Sequence, residues 1–302
     1  MNCTLCPRKC NIDRANRKGF CLQGDNPVAA RAALHFWEEP CISGSGGSGT
    51  VFFSGCNLRC VFCQNHDISA NGVGQEITVA RLRDIFEELV WAGADNINLV
   101  TPTHFARPIA EALEGFSHTV PVIWNSGGYD SVQTLQMLEG KIDIYMPDYK
   151  YSAVAPAKKY SAAADYPFRV RSALKEMYRQ VGQVQFDEQG LLQKGLLVRH
   201  LVLPGEIENT YGVMDAFTSL FAPGQALFSL MGQYTPPEKE LPYENLNRRL
   251  TEEEYRSCVD YLYLCGIEDG FVQELSSANA QYTPPFDLTG VLKSEFFDAT
   301  QE

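Results

Sequence analysis

The sequence predicts an α/β fold: parallel strands covered by helices, with a small cysteine-rich module in front. Three observations predict it. Strand-like and helix-like segments alternate through the middle of the chain. About 45% of the 302 residues are hydrophobic, enough for a sizeable core and against disorder. Eight of the ten cysteines fall within the first 63 residues, where a disulfide scaffold would spread them.

The cysteine-rich module is expected over residues 1–45. "CTLCPRKC" followed by "GFC" brings Cys3, Cys6, Cys10 and Cys21, a complete thiol set for zinc or for a 4Fe–4S cluster. Cys41 could replace one of them. "RKCNIDRANRK" is basic in a chain of net charge −12, and could balance thiolates bound to metal or be a solvated surface. The core is expected over residues 46–270, entered through the glycine-serine lead "ISGSGGSGT". That lead lacks the Gly-Lys-Ser/Thr ending of a phosphate loop.

The first strand is "TVFFSG", followed by the amphipathic helix "VARLRDIFEELVWAG", which ends in glycine. Then come "NINLV" and the helix "FARPIAEALEGF", whose Pro108 suits an early turn. "VPVIW" precedes "SVQTLQMLEG", and "IDIYM" precedes "DYPFRVRSALKEMYRQVG". "LLVRHLVLP" precedes "TYGVMDAFTSLF", and "ALFSLM" precedes "TEEEYRSCVDYLYLCG". Strand–helix units in series imply a parallel sheet with right-handed crossovers. The expected architecture is a partial (β/α)6 TIM-like barrel, with chemistry at the C-terminal strand ends. Residues 271–302 form a C-terminal extension. "QYTPP" occurs at 233–237 and again at 281–285, read as two extended segments lining one mouth. Cys258 and Cys265 share a helix face and read as core cysteines.

The negative charge argues against a nucleic-acid partner. "MNCTLCPRKC" has no apolar core of a signal peptide, and no apolar run has membrane length. A cytoplasmic protein with reduced thiols is expected, which favours metal over disulfides.

"SGCNLRCVFCQN" places Cys56, Cys60 and Cys63 on the loop after the first core strand. Structural zinc closes with four ligands. Three thiolates on a 4Fe–4S cluster leave one iron open to a small molecule, so a missing ligand can be functional.

Cys-x3-Cys-x2-Cys after a first strand, with Phe62 before the last cysteine, resembles the radical S-adenosylmethionine (SAM) superfamily. The resemblance implies a 4Fe–4S cluster whose open iron is chelated by SAM. Reductive cleavage of SAM then yields methionine and a 5′-deoxyadenosyl radical that abstracts a hydrogen from substrate. "MPDYK", with Met146, Asp148 and Lys150, is similar to the Met-x-Asp-x-Lys segment of pyruvate formate-lyase activating enzymes. "VRHLVLPG" resembles their Arg-x-Val-Val-Val-Pro-Gly segment and aligns Arg199 with its arginine. "WNSGGY" matches their Asp-Thr-Asn-Gly turn, with Asn125 and Ser126 in its first two places. The likeness covers roughly residues 50–235. It is closest to an activating-enzyme-like group of oxidoreductases that also carries a cysteine-rich N-terminal segment.

The resemblance implies that Phe62 packs near adenine. It implies that Asn125, Ser126, Asp148, Lys150 and Arg199 surround the methionine moiety and ribose. The family's Gly-Gly-Glu after the second strand is replaced by "LVTPTH", which leaves Thr101, Thr103, His104 or backbone carbonyls for the SAM amino group. His200 follows Arg199 on the strand and points to the opposite face. The implied partners are an electron donor such as a flavodoxin or ferredoxin, and an unidentified substrate. Two rivals remain: a glycyl-radical activase acting on a partner protein, and a zinc-stabilised binding module without catalysis.

Overall fold

A computed structural model describes residues 2–117, 119–275 and 283–292. Its strands are β1 (Val28–His35), β2 (Ser48–Phe53), β3 (Gln75–Glu76), β4 (Asn96–Val100), β5 (Val122–Ser126), β6 (Ile144–Pro147), β7 (Gln185–Phe186), β8 (Leu192–Leu201), β9 (Leu227–Met231) and β10 (Gly270–Val272). Its α-helices are α1 (His66–Ser69), α2 (Val79–Trp91), α3 (Ala106–Glu114), α4 (Val132–Met137), α5 (Val154–Ser161), α6 (Tyr166–Val181), α7 (Ile207–Leu220) and α8 (Glu252–Leu264).

The sheet runs in the order β10-β9-β8-β6-β5-β4-β2-β1-β3, with β7 paired to β8. From β2 to β10 along this order every neighbour is parallel. The six expected parallel strands are therefore β2, β4, β5, β6, β8 and β9. Among the described residues the sheet has two ends and remains open, with β10 added at one end and the antiparallel β1 and β3 at the other. β1 was not anticipated: "VAARAALH" is half alanine, which has little strand preference.

Alternation along the strands sorts side chains onto two faces. Val51, Leu99, Trp124, Tyr145, Val198 and Phe228 join the core shared with the helices. The opposite face turns Ile123, Ile144, Met146, Leu197 and Leu227 toward Cys41 and Ile42. Those two residues belong to the loop joining β1 to β2. Asn96 Nδ2 donates to the Ile42 carbonyl at 2.7 Å, and Leu192 N to the Cys41 carbonyl at 2.8 Å. Asn96 and Leu192 open β4 and β8, so the loop fills the inner face from the N-terminal strand ends. Cys41 is thereby a packing residue of this plug, and the reading of it as a substitute ligand is corrected.

The helices obey their sequence signals. α2 starts on Thr78, whose side chain accepts from Arg81 N, and it buries Leu82, Ile85, Phe86 and Leu89 on one stripe. α8 opens with a reciprocal capping box between Thr251 and Glu254.

The cysteine-rich module docks on loops at the other, C-terminal strand ends. Ser131 Oγ and Thr134 Oγ1 donate to the Leu5 carbonyl. Arg8 donates to the carbonyls of Asn57, Ser161 and Ala162, and Arg14 to those of His104 and Gly24. Gly55 (φ +79°) lies under this contact: a Cβ there would come within 2.3 Å of the Cys21 carbonyl. Among the described residues no helix is long and apolar enough to cross a membrane.

Candidate functional site

The C-terminal ends of the parallel strands meet at one cavity of about 220 Å³. β2 and its loop bring Phe52, Cys56, Leu58, Cys60, Phe62 and Cys63; β4 and β5 bring Thr101, Asn125 and Ser126. Asp148 and Lys150 follow β6, Arg199 lies on β8, and Met231 and Gln233 end β9. Strands from β2 to β9 share one cavity, so the open sheet is curved around it.

The three thiols form one wall. Ser161 Oγ donates to Cys60 Sγ at 3.0 Å, and the Tyr151 hydroxyl lies 3.8 Å from the same sulfur. Burial pushes the Cys56 thiol up to about 12, with Cys60 and Cys63 adding to the rise. Cys63 is raised by burial and then by Cys60, against a downward pull from Lys150. Left alone, Cys56 and Cys63 stay protonated; a bound metal cation reverses that preference. Phe62 is buried and packs edge-on to Tyr160 and Tyr234, with ring centroids 6.1 and 6.2 Å away.

A charged network faces them. Lys150 Nζ meets Asp148 Oδ2 at 2.6 Å, and Arg199 Nε meets Asp148 Oδ1 at 3.1 Å. Arg199 Nη2 donates to Asn125 Oδ1 at 2.7 Å. Burial raises the Asp148 carboxyl, but Lys150 and Arg199 together hold it below its ordinary value. Burial opposes the charge of Lys150, yet Asp148 and then Cys60 hold it above its ordinary value. This network needs Gly128 (φ +72°), because a Cβ there would lie 2.3 Å from the Asp148 carbonyl.

The segment after β4 divides. Thr101 lines the cavity at φ +60°, an unusual conformation for a β-branched residue, with its N–H on the Asn125 carbonyl at 2.8 Å. Thr103 and His104 turn away. Thr103 Oγ1 donates to Asp130 Oδ1 at 2.7 Å, and both residues are buried. His104 Nε2 pairs with the Ser54 carbonyl at 2.7 Å, and burial pushes its imidazole down to about 3. Neither side chain reaches the cavity, which corrects their placing beside a SAM amino group; both are spent on local hydrogen bonds. Ser126 lines the cavity, but its hydroxyl donates to Asp130 Oδ2 at 2.5 Å. Asp130 is a buried carboxyl also touched by Trp124 Nε1, at 3.3 Å, and sequence reasoning missed it.

Residues 50–139 match the radical SAM superfamily. The match includes Cys56, Cys60, Cys63, Thr101 and Asn125 and stops before Asp148, Lys150 and Arg199. An uncharacterized protein of Methanocaldococcus jannaschii is 27% identical over 274 residues, covering 86% of this chain and 73% of that protein. Streptococcus suis SuiB bound to S-adenosylmethionine is similar in structure, with a TM-score of 0.51 and 13% identity over 74% of this chain and 49% of SuiB. SuiB bound to precursor peptide SuiA gives 0.51 and 11%, over 74% of this chain and 48% of SuiB. The chain thus spans about half the length of SuiB, and the likeness is one of fold.

The residues of the matched segment fit a thiolate-bound cluster: three thiols on one wall, two of them, Cys60 and Cys63, within electrostatic reach of a cationic Lys150. The N-terminal cysteines are neighbours as well. Cys6 lies within electrostatic reach of Cys21, Cys10 and Cys3, and burial pushes it up to about 12. Arg14 pulls Cys21 down against the larger effect of burial, so one base of the basic cluster does offset a thiol. Among the described residues no three His, Cys, Asp or Glu side chains are gathered about one point to hold a single metal ion. Cys258 is buried in the core and Cys265 is packed against it. Gln233 and Thr283, one from each "QYTPP", both line the cavity; Gln281 and Tyr282 lie outside the described residues.

Four cavity residues were not anticipated from the sequence: His35 at the end of β1, and Trp37, Glu38 and Glu39 from the β1–β2 loop. The available signal was "EEP", two acids inside an otherwise apolar stretch.

Proposed function

We propose that this protein is a radical SAM enzyme acting on a substrate bound in the cavity at the C-terminal strand ends. One observation carries the reading: Cys56, Cys60 and Cys63 face the Asp148–Lys150–Arg199–Asn125 network across one cavity. Cys56, Cys60 and Cys63 would hold a 4Fe–4S cluster. That group supplies, when bound, the electron that cleaves SAM and so generates the hydrogen-abstracting radical.

The chain's own residues bind, orient and exclude water. Lys150 and Arg199 offer N–H donors to a carboxylate, and Asp148 fixes both in place. Asn125 is oriented by Arg199 and stands beside them for the ribose or methionine part. Phe62, with Leu58, gives an apolar wall for adenine. Thr101, rather than Thr103 or His104, is at hand for the amino nitrogen, through its hydroxyl or backbone carbonyl. Asp148 and Lys150 meeting at the cavity supports a place near the activating-enzyme-like group. Cys3, Cys6, Cys10 and Cys21 would supply a second thiol set, for an iron–sulfur cluster in preference to zinc, since these thiols are neighbours without being gathered about one point. A donor such as a flavodoxin or ferredoxin supplies the electron. All ten cysteines are free thiols, which suits a reducing compartment such as the cytoplasm.

The test is anaerobic reconstitution with iron and sulfide, followed by SAM and reductant. The wild type is expected to bind iron and release 5′-deoxyadenosine. Cys56→Ala, Cys60→Ala and Cys63→Ala are each expected to abolish that release, because three thiolates are the set that leaves one iron open. Normal release by any of the three would remove the assignment.

A further inference from the structure

Two acids of the cavity have no task in the reading above, Glu38 and Glu39. Both are carried in by the loop between β1 and β2. Glu38 is fully engaged: Asn98 Nδ2 donates to Oε1 at 2.9 Å, and Arg199 Nη1 lies 3.4 Å from Oε2. Glu39 is not. It is 5% exposed and lines the cavity, and its Oε1 accepts from Ser229 Oγ at 2.9 Å. Among the described residues no other donor reaches its carboxyl and no cationic side chain pairs with it. The neighbouring cation cannot serve it, because Arg199 is already divided among Asp148, Glu38 and Asn125.

A nearly buried carboxyl with one neutral donor is costly unless something else supplies donors or charge. Burial raises the Glu39 carboxyl, opposed by Arg199 and Ser229. The loop cannot easily carry the group elsewhere. Ile42 N and Ser43 N donate to the Glu39 carbonyl, and Ser43 Oγ donates to the His35 carbonyl at 3.1 Å. Cys41 and Ile42 are wedged against β5, β6, β8 and β9. The carboxyl is thus held in the cavity, on the strand β9 side, by a rigid plug.

We propose that Glu39 is the substrate-anchoring residue of this cavity and receives a primary ammonium group, so that the substrate is an amine. A cation is favoured over a neutral donor because Asp148, Lys150, Arg199 and Glu38 already have charged partners. Glu39 is the acid of the cavity wall without one. The inference rests on the reading of this cavity as the reaction site, but its test does not depend on turnover.

The experiment uses the cluster-reconstituted protein with SAM, and calorimetric titration with n-butylammonium and with n-butanol. The ammonium is expected to bind at least about tenfold more tightly than the alcohol. Glu39→Gln is expected to weaken ammonium binding about tenfold and to remove the preference, with Glu39→Asp between the two. Equal binding of the two probes, binding of neither, or a loss in Glu39→Gln that falls on SAM instead would overturn the proposal. If Glu39→Gln fails to fold, Ser229→Ala keeps the carboxyl and removes only its donor; it must retain the ammonium preference. Failure of the protein to cleave SAM would remove the functional reading, whereas the probe preference is read independently of cleavage.

Discussion

Thr103 shows how a residue of the right type at the right strand end can be employed elsewhere. Its hydroxyl is one of three neutral donors on the buried Asp130, beside Ser126 and Trp124. Burial raises that carboxyl despite the three bonds. Thr103→Val keeps the shape and removes a donor, so it is expected to cost about 1–3 kcal/mol of stability. The expected signature is a lower urea midpoint with SAM affinity unchanged, measured on the reconstituted protein. Thr101, two residues earlier, is the one whose backbone is strained toward the cavity, and such strain persists where the surroundings over-determine it.

Elements are held to one another by single polar residues at their ends. Glu254 accepts from Thr251 N and Gly205 N, both at 2.9 Å, and pairs with Arg248 at 2.7 Å. Arg248 in first place holds its carboxyl down at about 2, against an ordinary 4.5. The folded value is the lower one, so this stabilisation is present above pH 4.5 and is lost as pH falls toward 2. Glu254→Gln is expected to flatten the stability profile in that window, measured by denaturant unfolding at successive pH values. At the junction of module and core, Gly55→Ala forces a Cβ toward the Cys21 carbonyl. The expected outcome is faster hydrogen exchange across residues 3–24 and in the Cys56–Cys63 loop. Unchanged exchange in both would show that the contact yields without undocking.

At the scale of the molecule, the chain's late segment is tied back to its beginning. Arg81 pairs with Glu88 and donates to the carbonyls of Gly290, Val291 and Leu292. Ala32 N and Leu288 N complete the contact with β1 through the Thr289 and Ala30 carbonyls. Arg81 is 8% exposed, and Arg81→Met removes its donors while keeping much of its length. The expected cost is about 3 kcal/mol, since Glu88 and the carbonyls are left without their cation. Limited proteolysis should then release the C-terminal segment while the parallel sheet survives. The cavity is enclosed from three directions: the cysteine loop, the plug between β1 and β2, and Thr283 of this segment.

The sequence by itself determined the parallel α/β core. Each of its strands is a short apolar run set between amphipathic helices, a local signal that needs no knowledge of the rest of the chain. It also determined the cysteine loop, because the spacing of its thiols is local, and pointed to Asp148, Lys150 and Arg199 through motifs at strand ends. Only the tertiary structure decided which polar side chains face the cavity. Thr101 enters it while Thr103 and His104 leave, a choice made by a reversed backbone and by Asp130 lying 27 residues beyond Thr103. The plug lay further out of reach. Glu38 meets Asn98 and Arg199 across 60 and 161 residues of sequence. β1 leads into it through an alanine-rich strand with weak intrinsic preference. Contacts of that separation are set by packing against the inner face of the sheet, and no local pattern announces them.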